Sequence, residues 1–151
     1  ISFDAVSVFD ATENFATSYK VDEKEISAVV WDKQQETLTF KITVEKEGLY
    51  NIGIAYRTLQ GSGAAIGRKI LVNGKVPFEE AKNVEFLRYW KDTNSPLKDD
   101  NGDEVKPFSE EFFKDAESYI TDRNGKYTSP LKFYLNEGEN QITFEYIRDI
   151  L

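Results

Sequence analysis

Alternation of apolar and polar residues with a period of two is the feature of this sequence that most constrains its fold. In residues 37–44, Leu38, Phe40, Ile42 and Val44 alternate with threonine and lysine. Successive side chains of a strand point to opposite faces, so this pattern predicts a strand with one buried face. Similar alternation recurs along the chain of 151 residues. It predicts about eight or nine strands in an all-β sandwich, with residues 1–151 forming a single domain.

Turn signals predict how these strands connect. Asn73-Gly74 follows a predicted strand at 66–72 and is typical of a two-residue hairpin turn, in which both residues adopt positive φ. Glu47-Gly48 predicts a hairpin between strands at 37–44 and 49–58, and the turn at 137–140 predicts another between 131–135 and 141–148. Further strands are expected at three other places, residues 2–9, 26–31 and 84–90.

Residues 91–129 interrupt the alternation. Residues 92–107 are rich in Asp, Asn, Pro and Gly, and the acidic, glycine-containing run 99–103 is typical of a turn. Ser109 then precedes two glutamates and an apolar set with the spacing of one helix face. The members of this set are Phe112, Phe113, Ala116, Tyr119 and Ile120. The sequence therefore predicts one short helix, capped by Ser109, within a long loop.

The residue types that are missing limit the chemistry. The chain contains no histidine and no cysteine, so it lacks the Ser-His-Asp and Cys-His nucleophile pairs and the thiolate or imidazole ligands of zinc. Adjacent acidic pairs such as Glu79-Glu80 are more typical of solvated surface than of a glycosidase, which needs two carboxylates across one substrate. The loop 99–104 lacks the spacing of an EF-hand. We therefore expect neither an enzyme nor a resident cofactor.

Charge and hydropathy exclude further classes of partner. The chain has 27 acidic and 19 basic residues and a formal net charge of −8, which repels nucleic-acid phosphates and anionic membrane surfaces. No apolar run approaches the roughly 20 residues that span a bilayer. We thus expect no nucleic acid as a partner and no membrane span. The start at Ile1, without a signal-type segment, favours a piece of a longer protein with a neighbouring domain.

Aromatic and polar side chains are the remaining candidates for a binding site. Proteins bind sugars by stacking their apolar faces on Trp or Tyr and by hydrogen bonds to their hydroxyl groups. Trp90-Lys91-Asp92 ends a predicted strand and opens the long loop, a position that suits a stacking platform. Other candidates at strand ends or in the loop are Arg57, Arg68, Arg88, Tyr119, Arg123 and Tyr127. The simpler alternative is a buried tryptophan and arginines that only pair with acids.

The same residues carry a resemblance to a known family. Gly48, Tyr50, the run 68–74, Phe86 and Trp90 resemble the G-x-Y, R-x-x-x-V-N-G, F and W pattern of galactose-binding-like jelly rolls, including carbohydrate-binding modules of families 6 and 35. Residues 135–142 are similar to their late L-x-x-G-x-N-x-I hairpin. Residues 88–92, 100–102 and 127–134 more closely resemble the accessory jelly-roll domain of large extracellular solute-binding proteins of bacterial sugar ABC transporters.

The resemblance implies a jelly roll in an exported lipoprotein at the bacterial cell surface, where it contacts an oligosaccharide or polysaccharide. A structural domain that braces its neighbour without binding sugar is the alternative. Sugar-binding modules of this type often hold a structural calcium with an acidic pair near the start. Here Asp4 is present but Val6 stands in the place of the second acid, so we expect no calcium.

Overall fold

The computed structural model describes residues 1–10, 15–31, 37–60, 63–93 and 97–147. These residues form a β-sandwich with very little helix, which confirms the predicted all-β class. The strands are β1 Ala16–Val21, β2 Lys24–Val30, β3 Thr37–Val44, β4 Gly48–Asn51, β5 Gly53–Arg57, β6 Ile66–Val72, β7 Val84–Phe86, β8 Trp90–Asp92, β9 Leu97–Lys98, β10 Glu104–Val105, β11 Ser109–Glu111, β12 Asp115–Tyr119, β13 Lys132–Leu135 and β14 Gly138–Tyr146. A helical turn, α1 Ala5–Val8, and a 3-10 turn at Glu79–Lys82 complete them.

Two sets of antiparallel strands enclose the core. The first is a four-stranded sheet in the order β3-β14-β6-β7. In the second, the nearly continuous strands β4 and β5 pair with β13 and β12, respectively. Both sets contribute to one apolar cluster, in which Ile70 and Ile142 come from the first set and Phe133 and Leu135 from the second. Burial of the alternating apolar residues therefore provides the main stabilisation of the sandwich.

The two hairpins predicted at residues 47–48 and 137–140 are wrong. β3 pairs with β14, whereas β4 pairs with β13. The chain therefore crosses from one sheet to the other at both turns. Gly48 and Gly138 have φ values of 156° and 92°, which a glycine adopts without steric cost at such a corner. A local turn signal cannot distinguish a hairpin from a corner, because both reverse or redirect the chain within a few residues.

The turn at Asn73-Gly74 is confirmed. Residues 72 and 75 pair, and φ is 51° at Asn73 and 79° at Gly74. The Asn73 amide donates to Oδ1 of the buried Asn140 at 3.0 Å, and its own oxygen accepts from the Gln141 backbone N–H at 2.8 Å. Asn140 also donates to the carbonyls of Asn136 and Gly138. Asn73 and Asn140 therefore link the Asn73-Gly74 turn to the turn at 137–140.

The helix predicted from Ser109 to Ile120 is also wrong. These residues form β11, which pairs with β8, and β12, which pairs with β5. Ala116 and Ile120 are buried, while Phe113 and Tyr119 are exposed. Residues four apart share a face in a strand as well as in a helix, so the spacing of Ala116 and Ile120 fits both structures. Pairing with β5 selects the strand.

Smaller differences concern the other predicted strands. Residues 2–9 contain α1 instead of a strand, because the Asp4 carboxylate caps a helical turn by accepting from the Val6 N–H. The strand predicted at 84–90 ends at Phe86, and that at 49–58 is divided at Ile52. The strand predicted at 26–31 is confirmed as β2, and the turn predicted at 99–103 joins β9 and β10. The end of the strand predicted at 141–148 lies outside the described residues. None of the helices in the described ranges is long and apolar enough to span a bilayer.

Candidate functional site

The segment that the sequence assigned to a loop and helix folds back on itself as a β-hairpin arm, residues 90–93 and 97–111. Trp90, Lys91 and Asp92 lie opposite Glu111, Glu110 and Ser109 at its base. The Thr93 N–H donates to the Phe108 carbonyl at 2.8 Å, and the short pair of β9 and β10 follows. The predicted platform residues therefore begin this arm.

Trp90 is half exposed, with 50% of its surface accessible. The Cη2–Cζ2 edge of its indole ring lies close to Gly63. A Cβ atom placed on Gly63 would come within 3.2 Å of the Trp90 Cη2 atom, and φ at Gly63 is 83°. A side chain at position 63 is therefore disfavoured by both the contact and the backbone conformation. The indole is half exposed and contacts Gly63 along one edge, so it offers a flat apolar surface.

Two polar residues follow Trp90 on β8, with Lys91 on the opposite face of the strand and Asp92 on the same face as Trp90. The Lys91 ammonium lies 3.2 Å from Glu110 Oε1, and both side chains are more than half exposed. Asp92 Oδ1 accepts from the Ser109 hydroxyl at 2.9 Å. These exposed groups retain further hydrogen-bonding capacity, because an ammonium has three donors and a carboxylate about four lone-pair positions.

Arg88, which was predicted to contact a ligand, has a largely buried side chain. Its side chain is only 9% exposed and forms an ion pair of 2.6 Å with Glu111. Its guanidinium also donates to the carbonyls of Leu59 at 2.7 Å and Ala64 at 2.8 Å. Arg88 thus links residues 59 and 64 to Glu111 in β11. This burial does not fit direct contact with a ligand and makes Arg88 a positioning residue for the platform.

The other predicted site residues lie on separate elements. The guanidinium carbon of Arg68 is 4.2 Å from the centre of the Trp31 ring and 5.2 Å from that of Tyr146. Tyr119 covers Gly53 on the paired strands β5 and β12. Tyr127 follows a loop held by the Asp122 carboxylate. Arg123 pairs with Glu85 at 2.7 Å. The site therefore rests on Trp90, Lys91 and Asp92.

A groove that the sequence analysis missed adjoins the loop beneath Trp90. It has a volume of about 300 Å³ and is lined by residues 19–22, 57–60 and Phe113. Thr58 is 3% exposed, and its Oγ1 has no hydrogen-bond partner among the described residues. Three distant segments form this groove. No local pattern could have indicated it.

An ion pair lies at the groove. Arg57 Nε donates to Asp115 Oδ1 at 2.8 Å. This hydrogen bond raises the pKa of Arg57 and lowers the pKa of Asp115 from its ordinary value. Nearby Asp22 and Tyr19 also contribute to the raised pKa of Arg57. The guanidinium is therefore held in place and charged.

A second groove lies beside the 3-10 turn, and its residue Asp122 has a structural role. Its lining includes Lys82, Asp122, Arg123 and Lys126. The Asp122 carboxylate already accepts from three backbone N–H groups, those of Asn124, Lys126 and Tyr127. It orders its own loop. Among the described residues, no group of three acidic side chains has an arrangement that could hold a metal ion.

Comparison with known proteins gives no match, neither to a family model nor to a curated protein or a solved structure.

Proposed function

We propose that this protein is a non-catalytic carbohydrate-binding domain, and that Trp90, Lys91 and Asp92 form its binding platform. The half-exposed indole, which contacts Gly63 along one edge, is the observation that carries the proposal. A large aromatic surface costs free energy while it is exposed to water, and a sugar ring that covers it removes this cost. The absence of histidine and cysteine supports a binding role over catalysis.

The neighbouring polar groups supply the second half of sugar recognition. Trp90 and Asp92 share one face of β8, so a ring stacked on Trp90 would bring its edge hydroxyls toward the Asp92 carboxylate, which accepts hydrogen bonds. The long Lys91 side chain starts from the opposite face and would have to reach around the edge of the arm to donate. The ion pair of Arg88 with Glu111 and its hydrogen bonds to Leu59 and Ala64 hold in place the residues on either side of Gly63, which contacts the indole. Such preorganisation reduces the entropy that binding loses.

The cellular setting is part of the same proposal. The resemblance of residues 88–92, 100–102 and 127–134 to accessory jelly rolls supports a place in an exported solute-binding lipoprotein of a sugar ABC transporter, with another domain beside it. The jelly-roll topology is likewise proposed on this resemblance. In that setting the platform would contact the transported oligosaccharide or a polysaccharide from which it derives.

One observation favours the alternative of a bracing domain. Leu49 and Tyr134 lie directly opposite each other on β4 and β13, and they are 64% and 51% exposed. Exposed apolar pairs of this kind are common where one domain packs on another. In this alternative the sheet face, and not the arm, is the functional surface.

Binding to immobilised polysaccharides and to a soluble glycan panel, measured with wild type, Trp90→Ala and Tyr134→Ala, tests the proposal. Both variants remove a half-exposed aromatic ring, so they are matched controls for each other. We expect Trp90→Ala to abolish binding and Tyr134→Ala to retain it. Binding that survives Trp90→Ala, or that is lost in Tyr134→Ala alone, would contradict the platform.

A further inference from the structure

The groove beside the loop 58–65 contains a hydroxyl that the fold itself does not use. Thr58 Oγ1 is closed to solvent and makes no hydrogen bond within the described part of the chain. Buried polar groups in folded proteins nearly always have a partner, because an unpaired one destabilises the fold. A hydroxyl held in this state next to an open groove is a group that a ligand can satisfy.

The charges around the groove favour a neutral ligand. Lys20 and Arg57 are balanced by Asp22 and by Asp115, the partner of Arg57. Neither a cation nor an anion would therefore gain a net attraction. Arg57 uses only its Nε atom for Asp115 among the described residues, so its terminal nitrogen atoms still have donors to offer. The exposed Gln60 adds an amide.

Two aromatic rings give the groove apolar surface. Tyr19 and Phe113 both line it and are both partly exposed. Hydrogen-bonding groups between apolar rings, without net charge, match the surface of a sugar residue, which has polar edges and apolar faces.

The groove and the Trp90 platform are connected through the same residues. Leu59 lines the groove, and Gly63 contacts the edge of Trp90. Arg88 binds the carbonyls of Leu59 and of Ala64, which follows Gly63. Phe113 follows β11, which pairs with the strand of Trp90. The groove and Trp90 are therefore connected through Arg88 and β11.

We infer that the groove is a second subsite for a neutral sugar residue, with the Thr58 hydroxyl as its buried hydrogen-bonding group, and that the ligand is an oligosaccharide longer than the Trp90 platform alone accommodates. This inference rests on the proposed function. Because Oγ1 is closed to solvent, engagement requires rotation of Thr58 about χ1 or movement of the adjoining wall.

The test compares Thr58→Val with wild type across the gluco-, xylo- and manno-oligosaccharide series, from the monosaccharide to the tetrasaccharide, by isothermal titration. Valine keeps the shape of threonine and removes the hydroxyl. We expect unchanged affinity for the shortest ligand that binds, roughly three- to tenfold weaker binding of the longest, and equal or higher stability of the unliganded variant. Thr39→Val is the matched control, since its hydroxyl is bonded to that of Thr143 at 2.9 Å; it should lower stability and leave affinity unchanged.

The possible failures are distinguishable. If Trp90→Ala abolishes binding while Thr58→Val has wild-type affinity for every chain length, the second subsite is overturned and the platform stands. If no member of the three series binds wild type, both proposals are overturned. Loss of stability in Thr58→Val would also contradict the inference, because it would show that the hydroxyl has a partner within the folded chain.

Discussion

Trp90 and Phe133 show how the burial of an aromatic residue determines its contribution to stability. Phe133 is completely buried between the two sets of strands and contacts Phe78, with ring centres 5.1 Å apart. Trp90 lies at the base of the arm with half of its surface in water. Burial of apolar surface is the main source of stability, so the first ring holds the fold together and the second contributes far less.

Substitution of each ring by alanine should therefore have very different effects on stability. We expect Phe133→Ala to lower the free energy of unfolding by about 3 to 5 kcal/mol, because it leaves a cavity in the core. Trp90→Ala should lower it by about 1 kcal/mol, since only part of the indole is buried. Urea denaturation monitored by circular dichroism measures both values. A loss of about 3 kcal/mol or more in Trp90→Ala would identify Trp90 as a core residue.

Asn140 is a buried polar residue on which two turns depend. Its side chain bonds to the Asn73 side chain, to the backbone N–H and carbonyl of Asn136, and to the Gly138 carbonyl. Asn140→Ala removes these bonds and leaves backbone groups without partners, so we expect a loss of about 2 to 4 kcal/mol in stability. Asn51→Ala, at an exposed position, is the control. Equal melting temperatures for the two variants would contradict this role.

At the scale of the elements, the turn between β1 and β2 contains two residues with side chains in a backbone conformation that favours glycine. Asp22 and Glu23 have φ values of 48° and 66°, the left-handed conformation that two-residue hairpins require. Glycine adopts this conformation without steric cost, whereas glutamate does not.

Glu23→Gly should accordingly raise the free energy of unfolding by about 0.5 to 1 kcal/mol. Glu25→Gly, within β2, should lower it by a similar amount, because glycine there gains nothing from the turn and loses strand propensity. Chemical denaturation of the two variants measures the difference. A destabilised Glu23→Gly would show that the Glu23 side chain makes contacts that outweigh the strain.

The elements also show what sequence reasoning can reach. The Asn73-Gly74 turn signal located the end of β6, and period-two alternation identified β3 and the sandwich class, because burial of one strand face leaves a local pattern. It could not determine that β3 pairs with β14 and β4 with β13, since pairing depends on contacts between segments about ninety residues apart. The position of Trp90-Lys91-Asp92 at the end of a predicted strand was enough to suggest them as a candidate site. The groove at Thr58 was not predicted, because the sequence does not reveal that residues 19–22 and Phe113 meet there.

At the scale of the whole molecule, the ion pair between Arg57 and Asp115 gives the stability a specific dependence on pH. The hydrogen bond from Arg57 lowers the pKa of Asp115 below its ordinary value of 3.8. The Asp115 contribution to stability is therefore complete above that ordinary value and is lost as pH falls through the lower folded pKa. The stability difference between wild type and Asp115→Asn should be constant near neutral pH and shrink below about pH 4. A difference that grows on acidification would contradict the ion pair.

The central claim is that sugars bind at Trp90, and indole N–H signals in a proton–nitrogen correlation spectrum test it most directly. The chain has two tryptophans, Trp31 and Trp90, and Trp90→Phe assigns their signals. Trp31 packs beneath Arg68. During titration with the oligosaccharide series, we expect the Trp90 signal to move in a saturable way while the Trp31 signal keeps its position. A Trp90 signal that does not move at any ligand concentration, or movement of the Trp31 signal alone, would contradict the account.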